Sequence, residues 1–145
     1  PLAVNQAREM GMNQPIIGGD GYGAFMWEIA GKEAMKNTFW ISHVAKEDPA
    51  LKDFFAKYKK QAGTECQEFM NAVMAYDCVY WLKDAIERAK SDDPVKVRAD
   101  LESTKNLKLM HATLTMDNFH DPKDKDGFIL EAKNGKAVFY KKIRP

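Results

Sequence analysis

The nine residues Pro15–Gly23, PIIGGDGYG, set one carboxylate, Asp20, and one phenol, Tyr22, among four glycines. Glycine lets other groups approach the main chain closely, so a loop built this way suits a ligand wall. Three chemistries compete for it. Gly19, Gly21 and Ala24 meet the G-x-G-x-x-G/A spacing of a dinucleotide fingerprint. That reading turns the Asp20 charge toward a pyrophosphate. It also lacks the acidic residue expected about 20 positions further on, where His43 and Val44 stand. A cation fits better: the ammonium of an amino acid would meet Asp20 in a charge-assisted hydrogen bond, stronger where water is excluded. The third reading is structural, with Asp20 stabilising its own turn as aspartate commonly does.

Other groups point to no reaction. His43, His111 and His120 lack the spacing of a metal set. DPKDKDG has the look of a calcium loop, but Pro122 would hold the first ligand position and Lys133 that of the closing glutamate, so it reads as a charged turn. Tyr76, Tyr80 and Trp81 beside Asp77 read as core packing on an amphipathic helix rather than as a cofactor box. No serine, cysteine or lysine stands with a recognisable base, so the expectation is a non-enzyme without cofactor or metal. Cys66 and Cys78, on one helix, would lie roughly 18 Å apart, too far for a disulfide. With 145 residues, 45% hydrophobic and 30% charged, the chain has the composition of one globular domain. Its net charge of +1 gives no electrostatic reason to expect nucleic acid. No apolar run reaches the length of a membrane span, and PLAVNQAREMG does not read as a signal peptide.

The elements that must position the loop follow from pattern. VNQAREMG reads as a helix end stopped at Gly11, and Ile16-Ile17 as a short strand emptying into the glycines. A helix is expected over Ala24–Ala30, closed by Gly31, then a second strand in NTFWISHV. Asp48-Pro49 caps a helix carrying Leu51, Phe54, Phe55 and Tyr58. Thr64 with Gln67 suggests a capping box for the longest helix, whose expected buried stripe is Phe69, Val73, Tyr76, Tyr80 and Ile86. Asp93-Pro94 opens another helix with Val97 and Leu101 on one side. Met110, Ala112, Leu114 and Met116 alternate as along one strand, and Asn134-Gly135 marks a terminal hairpin. The fold class is α/β.

Together, QAREMGMNQPIIGGDGYG, EIAGKEAMKNTFWISH, FFAKYKKQAGTE, AYDCVYWLKDAIERAKSDDPVKVRADLEST and LTMDNFHDPKDKDGFILEAKNGKAVFYKKI resemble the C-terminal part of type I periplasmic solute-binding proteins. The branch is the one that binds leucine, isoleucine and valine for ABC importers. The resemblance implies part of a two-lobed fold ending in a β-hairpin. About 1–44 and 109–145 would belong to lobe two and the hinge crossings, and about 45–108 to lobe-one helices. It implies that Asp20 binds the ligand's α-ammonium, that Tyr22 contributes from the same loop, and that Asn71 near the start of the long helix faces the ligand side chain. An amide at Asn71, where relatives often carry an aromatic ring, allows a more polar ligand; a solvent-facing polar residue is the alternative. Partners implied are an amino acid and a membrane permease, and the location is periplasmic or extracytoplasmic, with a lipoprotein anchor as one form. A sensory receptor domain borrows the same fold and is the alternative function, beside the nucleotide-binding enzyme. The groups expected to hold the ligand carboxylate belong to family regions this sequence does not match. The chain alone is therefore expected to bind an amino acid weakly or not at all, and to self-associate by exchanging elements that cover open sheet edges.

Overall fold

The computed structural model describes residues 1–23 and 25–144. Helix α1 (Leu2–Glu9) leads into strand β1 (Ile16–Gly18), helix α2 (Phe25–Ala34) and strand β2 (Thr38–Ser42). Ala24, the expected first residue of the second helix, lies outside the described residues. At Gly31 the backbone of α2 leaves the helical region (φ 78°, ψ 160°), so the expected stop is a break followed by one more turn. A 3₁₀ turn at Pro49–Leu51, capped by the Asp48 carboxylate, feeds α3 (Lys52–Ala62). Then come α4 (Phe69–Ala89), α5 (Pro94–Glu102), the short strands β3 (Leu107–Lys108) and β4 (Thr113–Leu114), and the hairpin β5 (Gly127–Lys133) and β6 (Lys136–Ile143).

The main sheet has the order β1-β2-β5-β6, with β1 parallel to β2 and the other neighbours antiparallel. The hairpin turn is Asn134-Gly135, both left-handed (φ 53° and 72°), the conformation a two-residue loop demands. Along β2, Thr38, Trp40 and Ser42 point inward and are buried, while Phe39 and Ile41 face outward. The inner face packs on α1 and α2 through Val4, Met26, Met35, Trp40, Leu130 and Ala132. The outer face is uncovered, with Ile17 75% exposed. Arg8 ties α1 to the end of α2 and to the segments leading into β1 and β2 by donating to four carbonyls, those of Met12, Gln14, Ala34 and Lys36.

A second core of Val44, Leu51 and Val73, flanked by Phe54, Phe55, Met70, Met74 and Met110, holds α3 against α4. Phe69 packs against both cores.

Three expectations fail here. The capping box does not form: α4 starts at Phe69 with Glu68 at its N-cap and no side-chain cap bond, and Thr64 lies in the preceding loop. The buried line of α4 is Val73, Asp77 and Ala85, while Tyr76, Tyr80 and Ile86 are exposed. The two tyrosine rings stack 4.8 Å apart with their hydroxyls hydrogen-bonded, and Phe54 meets Tyr76 edge-on. Aromatic residues satisfied one another on the surface, and a carboxylate took the inner line because partners await it there. Asp77 accepts from the Met110 N–H (3.0 Å) and bonds His111 Nδ1, both of its partners lying beyond β3. Residues 109–112 are consequently a turn, closed by Leu109 N–H to Ala112 O at 2.9 Å, and the expected single strand over Met110–Met116 is the hairpin β3–β4. Lys125 lies beside this group, its ammonium 3.5 Å from the Met74 sulfur, and burial pushes its pKa down against the pull of Asp77.

Candidate functional site

Parallel pairing of β1 and β2 sets Gly18 opposite Trp40. Both chains therefore leave the sheet at the same edge, the carboxyl ends of the strands, where open α/β sheets bind ligands. The glycine loop follows β1 directly. Tyr22 folds back so that its ring covers Gly18: a Cβ built on Gly18 would stand 2.5 Å from Tyr22 Cζ. Only glycine permits that approach. The Tyr22 ring then leans on Trp40 at 6.3 Å between centroids, and Trp40 in turn meets Trp27 edge-on at 5.8 Å. The loop is thus held by aromatic packing, with Asp20 at its tip.

Opposite stands the segment Glu65–Asn71, running through the start of α4. Between the two walls lies a cleft of about 720 Å³, of the size of small-molecule sites, with Trp40, Leu130 and Ala137 among its apolar lining. Asp20, Tyr22 and Asn71 all line it, so residues some fifty positions apart in the chain come to one hollow. The walls meet where the Glu68 carboxylate abuts Gly23, at 3.1 Å from the place of a Gly23 Cβ. Asp20 and Asn71 are exposed, as suits an open cleft, and Tyr22 is half-buried.

Sequence reasoning missed Trp40, Lys46, Glu68 and Cys66, which also line the cleft. Trp40 was legible in principle, because inward alternation on β2 together with a parallel neighbour places it under the loop. Glu68 and Cys66 had no such signal, since the loop before α4 follows no period. Burial raises the pKa of the Cys66 thiol, so it stays protonated and serves as a small apolar wall group. Beside it Glu65 pairs with Lys59 at 2.7 Å; this hydrogen bond lowers the carboxyl pKa and raises that of the ammonium. Cys78 is exposed on α4, and both cysteines are free. His43 Nε2 lies 3.4 Å from Asp20 Oδ2, a partner the spacing of the histidines did not suggest.

Residues 1–137 match the periplasmic binding protein family. The chain is similar in structure to the leucine binding protein LivK of Thermotoga maritima, with 31% identity and a TM-score of 0.84 over 99% of this chain and 41% of that one. It is also similar to the branched-chain amino acid transporter substrate binding protein LivJ of Streptococcus pneumoniae, solved with isoleucine, at 27% identity and a TM-score of 0.81 over 99% and 41%. A substrate-binding protein of Desulfitobacterium hafniense, solved with Leu, shares the fold at 18% identity and a TM-score of 0.75 over 96% and 39%. A comparison with curated proteins finds no match. The chain spans about two fifths of the length of these solved relatives, and so carries partial lobes. The family is one of extracytoplasmic substrate-binding proteins rather than enzymes, and no helix among the described residues is long and apolar enough to cross a membrane. On the match over residues 1–137 the chain belongs to the periplasmic binding protein family, and its likeness to LivK and LivJ is to the leucine/isoleucine/valine branch of that family.

Proposed function

We propose that the chain supplies one part of an amino-acid-binding cleft, in a protein that delivers its ligand to an ABC importer permease outside the cytoplasm. The observation that carries this is the convergence of Asp20, Tyr22 and Asn71 on one cleft at the carboxyl ends of β1 and β2. Asp20 accepts from the ligand ammonium, Tyr22 packs over the loop beside it, and Asn71 faces the ligand side chain from the opposite wall. Residues 1–44 and 109–145 form the lobe-two part and the crossings, and 45–108 the lobe-one helices. In this scheme the ligand is held between parts of both lobes and closure buries it; no bond is made or broken. The free edge of β1 and the uncovered outer face of the sheet pair with a second copy of the chain.

Titration calorimetry with L-leucine and L-isoleucine tests the reading. Binding that falls by about ten-fold or more in Asp20→Asn, the loss of one charge-assisted hydrogen bond, supports it. Equal affinity in the variant, or tight binding of NAD in place of an amino acid, overturns it.

A further inference from the structure

We infer that His43 is a positioning residue for Asp20 and regulates the charge that Asp20 offers a cationic ligand; this rests on the amino-acid reading of the cleft. His43 Nε2 stands 3.4 Å from Asp20 Oδ2. The pairing is built into the fold. Because Gly18 lies opposite Trp40 on parallel strands, the residues just beyond each, Asp20 and His43, emerge side by side at one sheet edge. Ser42 then fixes the direction of His43: its buried hydroxyl donates to Val44 O (2.7 Å) and accepts from Val44 N–H (3.2 Å), closing a tight turn around the histidine. Asp20 lines the cleft, whereas His43 lines a neighbouring hollow of about 510 Å³. The imidazole thus stands on the side of the hollow, within ion-pair reach of one carboxylate oxygen, Oδ2.

Histidine gains its charge between about pH 8 and 5, an interval in which aspartate stays ionised and an α-ammonium stays protonated. Neutral His43 leaves the full charge of Asp20 to the ligand. The imidazolium shares that charge, so an ammonium arriving at the same carboxylate gains less. By linkage, a bound ammonium weakens proton binding at His43. The hollow's other charges offset one another. Asp48 beside the 3₁₀ turn and Asp124 and Asp126 before β5 stand against Lys108 on β3, Lys125 before β5 and Lys142 on β6. Lys142 is already paired with Asp126, and His111 is engaged by Asp77. Among the described residues, Asp20 is the one carboxylate within ion-pair reach of His43. Both side chains are partly exposed, so the coupling is that of a surface pair, about two- to five-fold in affinity.

The test is calorimetric titration with L-leucine at several values from about pH 5.5 to 8, across the histidine range, on the wild type, His43→Gln and His43→Lys. The wild type is expected to bind about two- to five-fold more tightly at the upper end. His43→Gln, which has no charge to change, should bind with no slope, and His43→Lys weakly throughout. A glutamine variant with the wild-type slope overturns the inference. The second measurement needs no ligand: the NMR signals of the His43 ring should move in Asp20→Asn, because the two groups stand within ion-pair reach. Ring signals that stay put while leucine binds sink the role of His43 and leave the amino-acid reading standing. Signals that move while leucine binds at no pH sink that reading and the charge regulation with it, leaving only the ion pair.

Discussion

Asp77→Ala removes the carboxylate on which the β3–β4 turn hangs. Asp77 is 3% exposed, and the His111 side chain it engages is 6% exposed. Truncation strips three things at once. The Met110 N–H loses its acceptor, His111 loses the partner of its Nδ1, and Lys125 loses a countercharge. Two part-buried groups, the Met110 N–H and His111 Nδ1, are each left without a partner, at about 1–3 kcal/mol apiece, and the countercharge beside Lys125 goes with them. The expected loss is therefore about 2–6 kcal/mol, a large part of the 5–15 kcal/mol that holds a typical domain. Urea unfolding followed by tryptophan fluorescence reads it as a midpoint lowered by roughly 1–3 M, at about 2 kcal/mol/M. Asp77→Asn keeps an oxygen for Met110 and gives up the charge, so it should fall between. Asp77→Leu with His111→Leu should recover part of the loss, since replacing both members of a buried pair by apolar groups costs less than stranding one. A loss under about 1 kcal/mol in Asp77→Ala, or a double variant worse than the single, would refute the reasoning.

Gly18→Ala should weaken leucine binding by about ten-fold or more with the far-ultraviolet circular dichroism unchanged, because the new methyl, 2.5–2.7 Å from Tyr22 ring atoms, evicts the ring that holds the Asp20 loop. Unaltered affinity would mean that the ring does not set the loop. Lys125 is held below the ordinary lysine pKa by burial, so between its folded and unfolded values the unfolded chain binds more protons. Stability should therefore rise as pH climbs through that window; the urea midpoint at about pH 7 and pH 10 shows it, and Lys125→Met should flatten the difference. Light scattering behind a sizing column should give a defined dimer, dissociated by Ile41→Lys on the uncovered sheet face; a wild-type monomer would end the pairing proposal.

The sequence carried the elements well where a local rule governs them. Asp48-Pro49 and Asp93-Pro94 open helices with the aspartate oxygen on backbone N–H groups, and Asn134-Gly135 turns the hairpin. It carried the cleft as far as the glycine loop and, through the family resemblance, Asn71 on the opposite wall. What it hid depends on partners remote in the chain. Asp77 looked like a polar neighbour of three aromatic residues, and only the arrival of Met110 and His111 makes its burial tolerable. Arg8 gave no signal at all, since its four acceptors are main-chain carbonyls. Thr64 had the composition of a cap, but the chain is drawn across the cleft for several residues before it coils, and Cys66 is buried on the way.

The placement of the two cores bears on how such a cleft works. One lies under the glycine loop between α1, α2 and the sheet, the other between α3 and α4, and Phe69 packs against both. Each wall of the cleft is anchored in a different core: Trp40 and Tyr22 on one side, Phe69 through Asn71 on the other. A rotation between the cores would alter the cleft's width while leaving most core packing intact, which is the requirement for hinge closure on a ligand. Phe69 and the Glu68 carboxylate against Gly23 sit where that movement would be felt first. Asp20 and His43, by contrast, leave adjacent strands of one sheet and would travel together. Under the proposed amino-acid reading, the charge offered to the ligand would be set within one wall, and the fit to its side chain across the gap.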